Sequence, residues 1–289
     1  MSANPFESAI QKIRQQQDIK RQRQEPSTQP AQPPPQPPMN AKILLLPICA
    51  DAMRCMPNEI VRSALFNARN HKQRRVYFED VEIAVIGEGR ISFRGQELRQ
   101  NDQTVWLQLI HLAKLQPLGD VVEFTPYSFC KSIGWAIDGR NYARLQECLT
   151  RMQATSLSIY SSRLKKSISL SMIPEFTRQD ENGRALSHYQ VQVAPELVEL
   201  FGNIHYTQVE WEQRLALPTG ISTWLHGYYA SHKAPYPIRI ETIKAGAGIT
   251  TERDAKVREL IDRALAQLVH VKFLASYKII GELAYVKRT

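Results

Sequence analysis

The stretch GWAIDGRNYARLQECLTRMQATSLSIYSSRLKK, residues 134–166, has the most informative pattern in this sequence. It opens with a turn, and apolar residues then recur at spacings of three and four, which predicts a helix that begins near Arg140 and buries one face. The buried face would consist of Tyr142, Leu145, Leu149 and Met152. The opposite side would carry Arg140, Arg144, Glu147 and Arg151. One helix face therefore bears three arginines against one glutamate.

A hairpin with a basic tip is predicted directly after this helix. The segments ATSLSIYSS and SISLSMIPEF alternate between apolar and polar residues, as strands with one buried face do. Between them stands RLKK, which would place Arg163, Lys165 and Lys166 at the tip.

The segments before residue 134 complete a recognisable order of elements. NDQTVWLQLIHLAKLQ predicts an amphipathic helix, VVEF a short strand, and TPYSFCKSI a second helix, capped by Thr125 with Pro126 at its first position. Helix, strand, helix, turn, helix and a basic hairpin is the order of a winged helix, whose third helix enters the major groove of DNA. The sequence therefore predicts a module that binds duplex DNA. Its third helix would contribute Arg140, Asn141, Arg144 and Arg151.

The same order of elements recurs towards the C-terminus. PTGISTWLHGYYASH predicts a first helix, PYPIRIETIKAGAGI a strand and second helix, TTERDAKVRELIDRALAQLVHVKF a long third helix, and LASYKIIGELAYVKRT a closing hairpin. The apolar face of the third helix would consist of Val257, Leu260, Ile261, Ala264, Leu265 and Leu268. The DNA contacts of this module would come from Thr251, Arg253, Lys256, Arg263, Lys278, Lys287 and Arg288. The two modules match in order and polarity, not in a repeated sequence.

These patterns predict an α+β protein of two tandem winged-helix domains behind a disordered tail. Residues 1–38 contain EPSTQPAQPPPQPP and lack the apolar residues that a core requires. The first domain would span residues 39–205 and include the hairpin RRVYFEDVEIAVIGEGRISFRGQEL, and the second would span 206–289.

Composition agrees with a polyanionic partner. The formal net charge is +9 over 289 residues, which favours either nucleic acid or an anionic membrane surface. No segment approaches the roughly 20 apolar residues that span a bilayer, and the basic tail has no apolar face to insert, so membrane contact is not expected. No secretion signal is visible, which predicts a cytoplasmic protein. The four cysteines form no CxxC pair and are expected to be reduced and mostly buried.

The chain offers few groups for catalysis. It contains no GK dipeptide of a phosphate-binding loop, and no two of its seven histidines have the spacing of a metal site. We expect a protein that is not an enzyme and needs no cofactor. A charged helix face is usually only solvated, but two basic third helices, each followed by a basic hairpin, favour contact with DNA.

Several long blocks occur in the order typical of a known family. MRCMPNEIVRSALFNARN, GQELRQNDQTVWLQLIHLAK and FCKSIGWAIDGRNYARLQECLTRMQATSL resemble the TrfA family of broad-host-range plasmid replication initiators, and the resemblance runs from about Asp51 to the C-terminus. It implies two winged helices that bind repeated origin sequences, called iterons, and help to open an AT-rich region. It also implies contacts with DnaA, the replicative helicase and the sliding clamp, and exchange between dimers and DNA-binding monomers.

One part of the family pattern is missing. The family carries a clamp-binding peptide, Gln-Leu-x-Leu-Phe or similar, before the MRxMPN block, and here that place reads NAKILLLPICADAMRCMPN, without Gln or Phe. Ile43, Leu44 and Leu45 could fill an apolar groove on the clamp or pack on the first domain. Two other functions remain open: a winged-helix transcriptional regulator or autorepressor, and a scaffold protein that binds DNA with little sequence preference.

Overall fold

The computed structural model describes residues 46–47, 49–70, 72–114, 121–202 and 205–289. These residues all belong to one compact unit. The predicted tail, residues 1–38, and the clamp candidates Ile43, Leu44 and Leu45 lie outside the described residues.

The chain has a mixed fold of helices and mostly antiparallel sheets, in which the short strands at residues 66–67 and 98–99 pair in parallel. Its first half contains β1 (Met53–Pro57), α1 (Asn58–Val61), β2 (Phe66–Asn67), β3 (Tyr77–Ile83), β4 (Arg90–Gln96), β5 (Leu98–Arg99), α2 (Gln100–Ala113), β6 (Val121–Phe124), α3 (Pro126–Ser132) and α4 (Gly139–Gln153). There follow β7 (Ser156–Ser161), β8 (Lys166–Leu170), β9 (Glu175–Gln179), β10 (Ala185–Gln192), α5 (Leu197–Phe201), β11 (Tyr206–Glu210) and α6 (Trp211–Ala216). The last elements are α7 (Ile221–Ala230), β12 (Ile238–Arg239), α8 (Ile240–Ala247), α9 (Asp254–His270), β13 (Leu274–Ile280) and β14 (Leu283–Arg288).

Two predicted hairpins join into one sheet of four strands, in the order β3-β4-β7-β8. Ile159 of β7 lies opposite Ile91 of β4 on one side and Ile168 of β8 on the other, and all three side chains are buried. The hairpin predicted at residues 154–176 is therefore present as β7–β8, and β4 also pairs with its first strand, so the hairpin belongs to a larger sheet. Alternation identifies strands with a buried face, but it does not say which other strand will complete the sheet.

A helix, strand, helix, helix and hairpin order occurs twice. In α2-β6-α3-α4, strand β6 pairs with β10 of the β9–β10 hairpin, and in α7-β12-α8-α9, strand β12 pairs with β14 of the β13–β14 hairpin. The first set differs because the β7–β8 hairpin is inserted between its third helix and its closing hairpin.

Each set of elements has its own hydrophobic core. In the first core, α2 contributes Trp106 and α4 contributes Leu145 and Met152. The second core includes Trp224 of α7 and Ile261 of α9, and like the first it is almost completely sheltered from solvent. Helix α4 begins with a side-chain cap, since the Asp138 carboxylate accepts a hydrogen bond from Asn141 N at 2.8 Å.

A buried arginine connects the two cores. Arg214 of α6 donates hydrogen bonds to Gln103 Oε1 (2.9 Å) and Thr104 Oγ1 (3.3 Å) on α2, and to the carbonyl oxygen of Thr223 (3.2 Å) on α7. Its side chain is 2% exposed, and burial lowers its pKa to about 9, so it stays charged at neutral pH. Trp224 Nε1 adds a second connection by donating to the carbonyl oxygen of Ser63 at 3.0 Å.

The cysteines differ in part from the expectation. Cys49 and Cys55 form a disulfide, with their Cα atoms 6.4 Å apart, because the chain turns back on itself between them at the start of β1. Cys130 and Cys148 are free and buried, as expected. Burial raises the pKa of both thiols, which keeps them protonated.

A substitution at Gly246 on α8 would test how closely Ile86, in the turn between β3 and β4, packs on the second core. Alanine normally stabilises a helix interior by about 1 kcal/mol relative to glycine. At this position, however, a Cβ would lie 2.5 Å from Ile86 Cδ1 and 2.8 Å from Trp224 Cζ2. We expect Gly246→Ala to lower the free energy of unfolding by about 1–3 kcal/mol in urea titrations. Gly139→Ala, where a Cβ meets nothing within 4 Å, is the matched control and should not be destabilising.

His226 makes stability depend on pH. It is fully buried against Phe273, with ring centroids 4.4 Å apart, and burial first, then Arg214 and Arg288, lower its pKa to about 3. Between pH 6.5 and pH 3 His226 is protonated in the unfolded chain but not in the folded chain, so the free energy of unfolding rises with pH across this window. We expect His226 to account for a loss of about 2 kcal/mol between pH 7 and pH 5, measured by denaturation at each pH. His226→Gln should lack this part of the pH dependence, whereas the exposed-site control His270→Gln should retain it.

Candidate nucleic-acid interface

The helix predicted from residues 134–166 is α4, and it has the predicted polarity. Leu145, Cys148, Leu149 and Met152 are buried, while Arg140 on the other side is exposed. Tyr142 is only partly buried at the edge of the core. The basic side of α4 therefore faces away from the first core.

Arg144 of α4 stacks on an aromatic ring. Its guanidinium Cζ lies 4.3 Å from the centroid of the Trp135 ring, in a cation–π contact that fixes the direction of the side chain. Asn141 is used within the turn before the helix, since its Nδ2 donates to the carbonyl oxygen of Ala136 at 3.1 Å and to Asp138 Oδ2 at 3.3 Å.

Arg151 lies on the predicted face but is engaged within the protein. Its Nη1 donates to Asp102 Oδ1 at 2.5 Å, its Nε donates to Gln96 Oε1 at 2.9 Å, and its side chain is 9% exposed. Asp102 is itself fully buried at the start of α2. Arg151 therefore holds α4 against α2, and we correct its assignment as a DNA-contacting residue to a structural one.

The third helix of the second set, α9, begins at Asp254, later than the sequence predicted. Thr251 and Arg253 lie in the segment before it, and Leu260 is only partly buried rather than a core residue. Lys256 Nζ and Arg263 Nη2 both reach the exposed carboxylate of Glu259, at 2.9 Å and 2.8 Å. These exposed ion pairs are weak, so phosphates can replace Glu259 as the partner of both cations.

The basic sides of α4 and α9 line one open cleft of about 1020 Å³. From α4 the lining includes Arg140, Asn141, Arg144, Glu147 and Arg151, and from α9 it includes Leu260, Arg263 and Gln267. Thr251 and the residues around Gly220 contribute to the rim. In all, seven arginines and one glutamate line the cleft, which makes it strongly electropositive.

The predicted basic tip at 163–166 is fastened to the protein. Arg163 Nη2 donates to the carbonyl oxygens of Glu199 (2.9 Å) and Leu200 (3.1 Å) on α5, and Lys166 forms an ion pair with the Glu199 carboxylate. Lys165, at a left-handed backbone position with φ 51°, is exposed. Arg163 and Lys166 therefore stabilise the contact between this hairpin and α5, and the contact of both side chains with phosphates stays a prediction.

The hairpin that corresponds to β13–β14 by its pairing is β9–β10, and the sequence analysis missed its basic residues. Arg178 on β9 and Arg184 beside the turn are exposed and form no ion pair within the described ranges. The sequence signal was the turn DENG at 180–183, between two segments rich in β-branched and aromatic residues.

The closing hairpin keeps only part of its predicted basic surface. Arg288 lies with its Cζ 4.9 Å from the centroid of the Phe273 ring and donates to the carbonyl oxygen of His232 at 3.3 Å, so it is a packing residue. Lys278 lies over the Tyr285 ring at 5.3 Å, and Lys287 is exposed. The turn itself carries Gly281 and Glu282, so this hairpin does not have the basic tip that we predicted.

Comparison with known proteins places this chain in a family. Residues 38–288 match the family described as TrfA protein. The chain belongs to the TrfA family. The plasmid replication initiator protein TrfA of Escherichia coli is 36% identical over 241 residues, which cover 82% of this chain and 62% of that TrfA protein. The match thus leaves more than a third of the length of that relative without a counterpart in this chain.

The fold of this TrfA-family chain also resembles solved structures of domains 2 and 3 of RctB. One, of selenomethionine derivatives, aligns with a TM-score of 0.54 at 15% identity and covers 80% of this chain and 96% of that one. A second, of RctB domains 2–3, aligns with a TM-score of 0.51 at 11% identity and covers 80% of this chain and 97% of that one. At these identities the likeness concerns the fold alone.

Among the described residues, no helix has both the length and the apolar character needed to cross a membrane. Within the same ranges, no group of three or more His, Cys, Asp or Glu side chains is arranged to hold a metal ion.

The salt dependence of binding shows which of two hairpins, β7–β8 or β9–β10, contacts the phosphates of DNA. The logarithm of the binding constant falls linearly with the logarithm of the salt concentration, and each phosphate contact that a protein loses reduces the magnitude of this slope by about 0.9. We expect Arg178→Gln with Arg184→Gln to weaken duplex binding and to reduce this slope by up to about 1.8, because both side chains are exposed on the β9–β10 hairpin. Arg163→Gln with Lys166→Gln removes the same charge and should leave the slope unchanged. The reverse result would show that the β7–β8 hairpin contacts the phosphates.

Proposed function

We propose that this chain is a plasmid replication initiator that binds repeated origin sequences through two winged-helix modules. Membership of the TrfA family supports the biological role, because the Escherichia coli relative is a plasmid replication initiator protein. The observation that carries the DNA-binding part is the cleft itself. Arginine-bearing sides of α4 and α9, each the third helix of its set, line the same electropositive space.

The proposed binding mode uses α4 and α9 as reading helices. Third helices of this type enter the major groove and contact base edges, and two modules can occupy successive grooves along one face of the duplex. Arg144 and Arg263 are the candidates for base contacts because both line the cleft and neither is buried. Arginine recognises guanine through two parallel hydrogen bonds, and the Trp135 ring holds the Arg144 guanidinium in a fixed direction for such a contact.

We further propose that the chain acts in the bacterial cytoplasm, uses no cofactor and is not an enzyme. Binding to several repeats would then supply the energy that opens the origin, because bending and untwisting of DNA are offset by the contacts that they permit. Contacts with DnaA, the replicative helicase and the sliding clamp, and exchange between dimer and monomer, belong to the same proposal.

Selection from random duplexes tests the DNA-binding part. Purified protein is incubated with the pool at near-physiological salt, and the bound fraction is sequenced. We expect enrichment of a site of about two helical turns, because two reading helices occupy grooves about one turn apart. We expect Arg144→Ala and Arg263→Ala each to cost about 1–3 kcal/mol of binding and to relax the preference at different positions within the site.

Arg94→Ala is the matched control, because Arg94 is exposed on β4 and does not line the cleft. It should bind and select as the unaltered protein does. If no sequence is enriched and affinity only falls with salt, the chain is a general DNA-binding scaffold instead.

Replication in cells separates an initiator from a transcriptional regulator. A plasmid that carries this gene and tandem copies of the selected site should replicate in a permissive host and fail with Arg144→Ala. Specific binding without replication would favour the regulator.

A further inference from the structure

A basic loop shares the cleft with the two proposed reading helices. It connects β2 to β3 and comprises residues 68–70 and 72–75. Arg69, Asn70, Gln73 and Arg75 of this loop line the same cleft as α4 and α9. The loop is therefore a third wall of the cleft, supplied by neither helix.

An internal cation fixes the backbone of this loop. Arg99, whose side chain is 5% exposed, donates hydrogen bonds to the carbonyl oxygens of Asn70 (2.7 Å), Gln73 (3.0 Å) and Arg74 (3.2 Å). The buried carboxylate of Glu97 balances its charge at 2.6 Å. These three carbonyl contacts hold the loop from the protein side, which leaves its outer side for solvent or a ligand.

The cations of the loop fall into two groups. Arg69 and Arg75 form ion pairs with buried carboxylates, since Arg69 Nη1 lies 3.1 Å from Glu97 Oε1 and Arg75 Nη1 lies 2.8 Å from Asp102 Oδ2. The side chains of Lys72 and Arg74 are exposed, and no ion pair or side-chain hydrogen bond engages them within the described ranges. Two uncompensated charges thus project from a backbone that is already ordered.

We propose that Lys72 and Arg74 form a third DNA contact, on the phosphates that flank the minor groove between the two major grooves occupied by α4 and α9. The inference rests on the proposed function. Two successive major grooves on one face of a duplex are separated by a minor groove, so a loop that lines the cleft together with both reading helices would meet the phosphates of that groove. A preordered loop loses little conformational entropy when its cations bind.

This contact would add affinity without sequence information. Phosphate contacts position a protein on DNA, and only base contacts discriminate between sequences. It would also fix the register of the two helices, because the loop is joined to α2 through Asp102 and lies beside both of them. Its removal should therefore change the salt dependence of binding and leave the selected sequence unchanged.

The test compares two double variants. The loop variant combines Lys72→Gln and Arg74→Gln, and the control variant combines Lys233→Gln and Lys272→Gln. The control pair removes the same charge from exposed positions outside the loop, and none of the four substituted residues lines the cleft itself. Binding is measured across a salt series on a duplex of about 40 base pairs, or roughly four helical turns, that contains the sequence selected by the unaltered protein, and on a scrambled duplex. Hydroxyl-radical footprints on the selected duplex report protection of the backbone, and thermal unfolding confirms that each variant is folded.

We expect the magnitude of the salt slope to be smaller by about 1.8 in the loop variant, which corresponds to two lost phosphate contacts. We also expect this variant to lose protection of the DNA backbone between the two protected major grooves. The control should keep both the slope and the protection. If the loop variant binds with the slope and footprint of the unaltered protein, the third contact does not exist. If the unaltered protein binds neither duplex, the proposed DNA-binding function fails first and this inference fails with it.

Discussion

Two buried carboxylates hold the cleft in shape. Glu97 and Asp102 are both fully buried, and together they contact Arg69, Arg75, Arg99 and Arg151. Through these four arginines they join α2, α4 and the β2–β3 loop, which are three of the elements that surround the cleft. Breaking a buried ion pair by removing one partner commonly costs about 3–5 kcal/mol, because the charge left behind has no partner. The position of α4 relative to the rest of the cleft therefore depends on two acidic side chains that no ligand could reach.

The same carboxylates divide the arginines of the cleft by role. Of the seven in its lining, the four on Glu97 and Asp102 are structural, and Arg140, Arg144 and Arg263 remain for an anionic ligand. A count of basic residues along the sequence therefore overstates the number available to DNA. The electropositive field comes from these three arginines and from the excess of four arginines over two carboxylates in the buried cluster, since each close pair of opposite charges largely cancels at a distance.

The sequence predicted local features well and long-range partners poorly. The spacing of Leu145, Leu149 and Met152 was enough to place the buried face of α4, because helical periodicity depends only on neighbours along the chain. Nothing near Arg151 in the sequence marks Asp102, 49 residues earlier, as its partner. The Arg163 tip was assigned to DNA for a similar reason, since its partners on α5 lie 36 and 37 residues away. The residue type and the neighbours along the chain suggested DNA contact for both arginines, but in the fold each of them is hydrogen-bonded to the protein itself.

A rigid connection between the modules has a consequence for recognition. If α4 and α9 were joined by a flexible linker, the chain could bind half-sites at many spacings, and the second contact would gain only from effective concentration. Here Arg214 contacts both α2 and α7 from a fully buried position, and the backbone N–H of Ala68 donates to the carbonyl oxygen of Ala247 on α8 at 2.7 Å. The cleft thus has a built-in distance between the two proposed reading helices. Under the proposed function, a duplex whose half-sites deviate from that distance would have to be bent or twisted to fit, so we expect the spacing of the half-sites to be part of the sequence preference even where no side chain touches a base.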